Sequence, residues 1–189
     1  NLSQHDALPI SYRLHTANVK VRPSELGTAP DQVVQYAKEL FERGDKHKHI
    51  QPRAFEQVCA VFDRDDHGSY FDALTMAESL DGKLKNDNQQ AVRFKAIASV
   101  PSFELWLLLH YEDIWAPIHR HEVMQRLKTH ILDYEKGATR AFCITRERLP
   151  LATQRAQALA AKFNARTVPE PYTAVVELVE LLTQLRPDK

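Results

Sequence analysis

Hydrophobic and polar positions alternate with three different rhythms along this chain. "ANVKV" (Ala17 to Val21) alternates residue by residue and predicts a short strand stopped by Pro23. "GTAPDQVVQYAKELFERG" follows, in which Val33, Val34, Ala37, Leu40 and Phe41 recur at helical spacing. Thr28 is placed to cap that helix, Pro30 and Asp31 suit its first turn, and Gly44 its end. Gln57 to Phe62 is a continuous β-branched and apolar run, the pattern of a strand covered on both faces. After a turn over Asp63 to Gly68, a helix is expected from Phe71 to Leu80. "AVRFKAIASV" (Ala91 to Val100) reads as a second interior strand ended by Pro101, and "SFELWLLLHY" (Ser102 to Tyr111) as a short, almost wholly apolar helix. Helices are further expected over His121 to Leu132, Leu151 to Asn164 and Tyr172 to Leu185. Strands alternating with helices predict an α/β layer fold with a mostly parallel sheet and a helical C-terminal half.

Composition narrows the picture. The 189 residues suit one domain, and no repeat, low-complexity tract or linker divides them. Lys plus Arg equals Asp plus Glu at 25 each, so any contact with nucleic acid would have to be a local patch. The basic loop "DKHKHIQPR" could touch phosphate, although a solvated loop is the plainer reading. Cys59 and Cys143 match neither a zinc site nor a disulfide framework, which favours a reducing cytoplasm. The longest apolar run, Leu105 to Leu109, is too short to span a bilayer, and no membrane partner is expected.

Residues 1–11 stand apart. "SQHDALPIS" resembles the conceptual translation of a sequencing adapter, one residue away from "SLHDALPIS". That resemblance implies an authentic protein beginning near Tyr12, with residues 12–189 forming the domain and an upstream piece missing.

The chemistry concentrates in "VCAVFDRDDHGSY", where three aspartates fall in four positions behind an interior strand. In an open α/β sheet, ligands bind beyond the carboxyl ends of the strands. Carboxylates so placed suit a hard divalent cation, Mg²⁺ or Mn²⁺, which keeps waters and substrate phosphates as its other ligands. Asp63 and Asp65 can share one ion, with Asp66 as a third acid or as the cap of the following helix. Haloacid-dehalogenase-type phosphatases want Thr or Val two places after the second aspartate, where this chain has His67. A sugar-nucleotide site has no other trace here. Toprim domains, which hold Mg²⁺ for phosphodiester chemistry with an Asp-x-Asp after a strand, fit best. Glu104 opens the apolar helix after the second strand; it could join the aspartates if the two strands are neighbours, or simply offset the helix dipole. Trp106 and Leu107 to Leu109 read as core, His110 as an interior histidine, and His119 and His121 as solvated loop residues.

"VFDRDDH", "SVPSFELWLLLHYED" and "YEKG" (Tyr134 to Gly137) together resemble the RloB family, Toprim-related proteins of bacterial abortive-infection and anti-phage loci. The similarity runs from about Val19 to Leu185, with Val-Pro-Ser where the family usually has Asn-Pro-Cys. It implies a three-layer Toprim-like fold and Mg²⁺-dependent cleavage of RNA or DNA, carried out with an AAA- or ABC-type ATPase encoded nearby. It also implies that Asp63 and Asp65 are the metal pair and Glu104 the family's acidic residue. The family's opening "C-E-G-x-x-T-E" type turn, which supplies a further Glu, has no counterpart before Val19. An inactive fragment of a larger protein is therefore expected, and a non-catalytic regulatory or partner-binding subunit is the competing reading.

Overall fold

The computed structural model describes residues 19–136 and 141–185; the adapter-like segment, Ala17, Asn18 and Gly137 lie outside them. It is a mixed α/β structure with a small sheet of strand order β1-β2-β3. The elements run α1 (Pro30–Arg43), β1 (Gln57–Asp63), α2 (Tyr70–Leu80), β2 (Arg93–Val100), α3 (Glu104–Leu108), α4 (Arg120–His130), α5 (Ala141–Thr145), α6 (Leu149–Ala160), β3 (Tyr172–Thr173) and α7 (Val175–Gln184). A single 3-10 turn, Arg146–Arg148, separates α5 from α6. Two compact units emerge, one from Lys20 to Ala98 and one comprising Val19 and the residues from Ser99 onward. The division falls inside β2, and no linker separates them.

In the N-terminal unit, α1 packs on β1 and α2. Val34 and Phe41, two turns apart on α1, are buried, and on α2 the buried residues Tyr70, Ala73, Leu74 and Ala77 follow the i, i+3, i+4, i+7 stripe. Full burial of side chains such as Phe41 and Leu74 stabilises the unit by roughly 1.5–3 kcal/mol each. The α1 helix ends at Gly44 as expected, with φ 66°, but the N-cap is Ala29 rather than Thr28. The Ala29 N–H donates to Gln32 Oε1 at 3.3 Å, so a side chain from inside the first turn closes the helix start. No strand forms over Val19–Val21. There Arg22 Nη1 takes the Val21 carbonyl at 2.8 Å, and Pro23 has no N–H to offer a ladder. β1 is less enclosed than its apolar run suggests: Ala60 and Phe62 are buried, while Val61 on the opposite face is 45% exposed.

In the C-terminal unit, α3 packs against α4 and α6, and α6 against β3 and α7. Leu105, Trp106, Leu107, Leu108 and Leu109 are all core. The apolar helix is shorter than its sequence pattern, five residues followed by hydrogen-bonded turns to Tyr111. Two elements were not legible in the sequence. The first is α5. The second is β3, which occupies Tyr172–Thr173 where a helix start is expected, and pairs antiparallel with β2 through Ser99↔Thr173 and Val100↔Tyr172. That ladder departs from the expected parallel sheet. The Ser99 and Thr173 hydroxyls meet at 3.0 Å, and Thr173 Oγ1 also accepts from the Val175 N–H at 3.3 Å, so one residue both ends the strand and starts α7.

Candidate functional site

The acidic turn sits at the carboxyl end of β1, in the N-terminal unit. Asp63 is the last strand residue; Asp63 and Asp65 are half-buried and Asp66 is exposed. Phe62 and Tyr70 bracket the turn and meet edge to face, with ring centroids 6.0 Å apart. Inside it, His67 N–H donates to the Arg64 carbonyl at 3.1 Å and Tyr70 N–H to the His67 carbonyl at 3.4 Å. Asp65 holds φ 39°, a left-handed conformation that aspartate tolerates better than most residues. Its Oδ1 is shielded from solvent. Asp66 does not cap α2; that position belongs to Ser69, three residues on.

Ser69 instead serves a residue that the sequence marked only as part of a helix start. Its hydroxyl hydrogen-bonds the Asp31 carboxylate and, with the nearby charge of His67, holds Asp31 below the usual carboxylate range. The first turn of α1 is thus tied to the acidic turn.

Hard carboxylate oxygens, two of them partly sheltered, fit Mg²⁺ or Mn²⁺, because Mg²⁺ asks for only one or two carboxylates and keeps its waters. Among the described residues, no group of three or more His, Cys, Asp or Glu side chains is arranged as a cage for a metal. A donor pair that leaves room for water and phosphate is compatible with that finding.

Glu104 belongs to the C-terminal unit. It opens α3 and is 5% exposed, so its charge needs partners. Ser102 Oγ donates to Oε2 at 2.7 Å, Tyr134 OH to Oε1 at 3.4 Å, and Lys136 Nζ lies 3.9 Å from Oε1. The "YEKG" stretch, noticeable in sequence without a role, supplies two of these three partners. Glu104 is therefore more than a helix-end charge. His110 is an interior residue: its Nδ1–H donates to the Trp106 carbonyl at 3.0 Å, and burial pushes its pKa down. His119 and His121 are exposed, yet His119 is the N-cap of α4, its Nδ1 accepting from the His121 N–H at 3.3 Å.

A family model described as RloB-like protein matches residues 3–182. The chain belongs to the RloB-like family. No curated protein and no solved structure matches it. Within this RloB-like chain, the acidic turn and the buried Glu104 are the two acidic positions that the family motifs single out, and each falls in a different unit.

Proposed function

We propose that this RloB-like protein is a Toprim-type effector of a bacterial anti-phage system, cleaving phosphodiester bonds in RNA or DNA with Mg²⁺. The observation that carries the reading is the acidic turn: two half-buried aspartates at the carboxyl end of β1, bracketed by an aromatic pair. Asp63 and Asp65 would hold the ion, with Asp66 at the exposed rim. When bound, Mg²⁺ supplies positive charge to the phosphate and to the leaving oxygen. The chain's own part is to fix the carboxylates: the strand end orients Asp63, and the left-handed turn orients Asp65. Glu104, which accepts hydrogen bonds from Ser102 and Tyr134 with Lys136 nearby, is kept as a candidate catalytic carboxylate on the family resemblance. A three-layer Toprim arrangement and a partner ATPase of the AAA or ABC type are part of this reading and rest on the family resemblance.

Cleavage of labelled RNA and DNA by the full-length protein, alone and with the neighbouring ATPase, tests it. Asp63→Asn should lower Mg²⁺-dependent cleavage by at least about a hundredfold, the scale on which losing one charge-stabilising group acts. Equal cleavage by wild type and Asp63→Asn would end the assignment. The competing reading is a regulatory or partner-binding subunit without chemistry of its own. It predicts no metal-dependent cleavage by wild type under any of these conditions.

A further inference from the structure

The acidic turn lies by the first turn of α1; the opposite end of that helix carries a different structure. After Gly44 the chain folds into a tight knuckle closed by Asp45 N–H to the Ile50 carbonyl at 2.8 Å and Ile50 N–H to the Asp45 carbonyl at 2.9 Å. Lys48 turns inward. Its ammonium pairs with Asp45 and, at 3.0 Å, with Glu25, while its carbonyl accepts from Arg22 Nη2 at 3.1 Å. Arg53 has both backbone groups engaged, its N–H donating to the Phe41 carbonyl at 2.7 Å and its carbonyl accepting from Asp87 N–H at 2.9 Å.

Two non-glycine residues here, His49 with φ 54° and Arg53 with φ 55°, hold left-handed backbone that local sequence disfavours. Such conformations persist where surroundings over-determine them, and they concentrate at binding sites. The effect of this scaffolding is to project Lys46, His47, His49 and Arg53 into solvent. None of the four has an ion-pair or side-chain hydrogen-bond partner among the described residues. A loop merely solvated would need neither the locks nor the strained backbone.

We propose that residues 45–53 form a preshaped phosphate-binding knuckle that anchors the nucleic-acid backbone away from the acidic turn. The choice of nucleic acid rests on the phosphodiester reading above. Fixed cations on a short rigid tip suit contacts that set register on a backbone rather than read bases. A membrane surface suits it less, because Ile50, the tip's large aliphatic residue, is buried and leaves only the small ring of Pro52 as an exposed apolar group. The spacing follows from the helix: Asp31 is tied to Ser69 beside the acidic turn and Gly44 opens the knuckle, 13 positions further along α1. At about 1.5 Å per residue that is roughly 20 Å.

The test is an anisotropy titration of the full chain in chelator with a labelled duplex, read against salt. Lys46→Gln with Arg53→Gln removes two cations without touching the locks, and its melting temperature verifies folding. Lys83→Ala with Lys128→Ala, two exposed lysines elsewhere, removes the same charge as a control. Each lost phosphate contact lowers the log–log salt slope by about 0.9, so between about 50 and 200 mM salt wild-type affinity should fall about tenfold more than that of the knuckle variant. The control should keep the wild-type slope. Equal slopes for wild type and knuckle variant, or tighter binding to anionic vesicles or an acidic protein than to the duplex, would overturn the knuckle. Slopes that differ as expected, in a protein that never cleaves, would leave the knuckle standing and sink only the nuclease reading.

Discussion

At the scale of single residues, two buried ionisable groups show how differently this protein treats charge. His110 is kept neutral by burial, with Arg148 and Arg155 adding to the cost of protonating it. Its folded pKa lies below that of the unfolded chain, so the folded state binds fewer protons at mildly acidic pH. The contribution is fully present above the unfolded value of about 6.5 and is lost as pH falls from there toward the depressed folded value. Urea denaturation between about pH 7 and 5 should show stability falling by up to about 1.4 kcal/mol per pH unit from this residue, and His110→Gln should flatten that slope. An unchanged slope in the variant would assign the effect elsewhere. Glu104, in contrast, is held by donors. Ser102→Ala removes the 2.7 Å hydrogen bond and should destabilise the protein by about 1.5–3 kcal/mol in chelator, the range for bonds to charged groups. Calorimetry would check it; a loss well under 1 kcal/mol, on the same scale, would mean that solvent or Lys136 replaces the hydroxyl. Asp65 carries its cost in the backbone. Asp65→Gly should be more stable than Asp65→Ala by about 1 kcal/mol, because only glycine accepts φ 39° without a Cβ penalty. On the proposed reading, both substitutions should abolish Mg²⁺-dependent cleavage.

At the scale of elements, Gly44 is the joint on which the knuckle depends. A Cβ there would meet the Ile50 carbonyl at 2.5 Å and the Pro52 nitrogen at 2.7 Å, both backbone atoms, and φ 66° is itself unfavourable for any L side chain. Gly44→Ala should cost more than about 1 kcal/mol and weaken duplex binding as well, since the tip must shift to admit the methyl. Hydrogen exchange at the Asp45 and Ile50 amides would register the loosening; protection equal to wild type would deny it. The helices with one buried face, α1 and α2, were legible from their spacing to within a residue or so, because burial on one side is what spaces the apolar positions. β1 was legible because apolar residues run unbroken from Val58 to Phe62, and β2 because Phe94, Ala96, Ile97, Ala98 and Val100 dominate a short stretch closed by Pro101. β3 was not: two residues carry no period, and a Tyr-Thr pair becomes a strand only because Ser99 and Val100 stand opposite to receive it. α5, at five residues, is likewise below the length at which a pattern can be read.

At the scale of the whole molecule, the equal counts of acid and base mean that no long-range field draws nucleic acid in. Association should therefore proceed near the unsteered 10⁵–10⁶ M⁻¹s⁻¹, as an order of magnitude, with salt acting mainly on the off-rate through the local contacts. Stopped-flow mixing at several salt concentrations would test this; an on-rate that climbs steeply as salt is lowered would point to a larger basic surface than the knuckle. The sequence by itself determined the RloB-like family, the mixed α/β character, the acidic turn behind β1 and the apolar helix beginning at Glu104. Those features are local: they depend on residue type and on spacing along a strand or helix. Tertiary structure alone decided the rest. Ser69 reaches Asp31, and Tyr134 and Lys136 reach Glu104, across separations no local pattern records. Lys48 pairs with Glu25 and Asp45 while Lys46, His47 and His49 have no such partner among the described residues, although all read alike as basic residues in one loop. Such pairings follow from which surfaces burial brings together, and a charge is used or left over only once its neighbours in space are set.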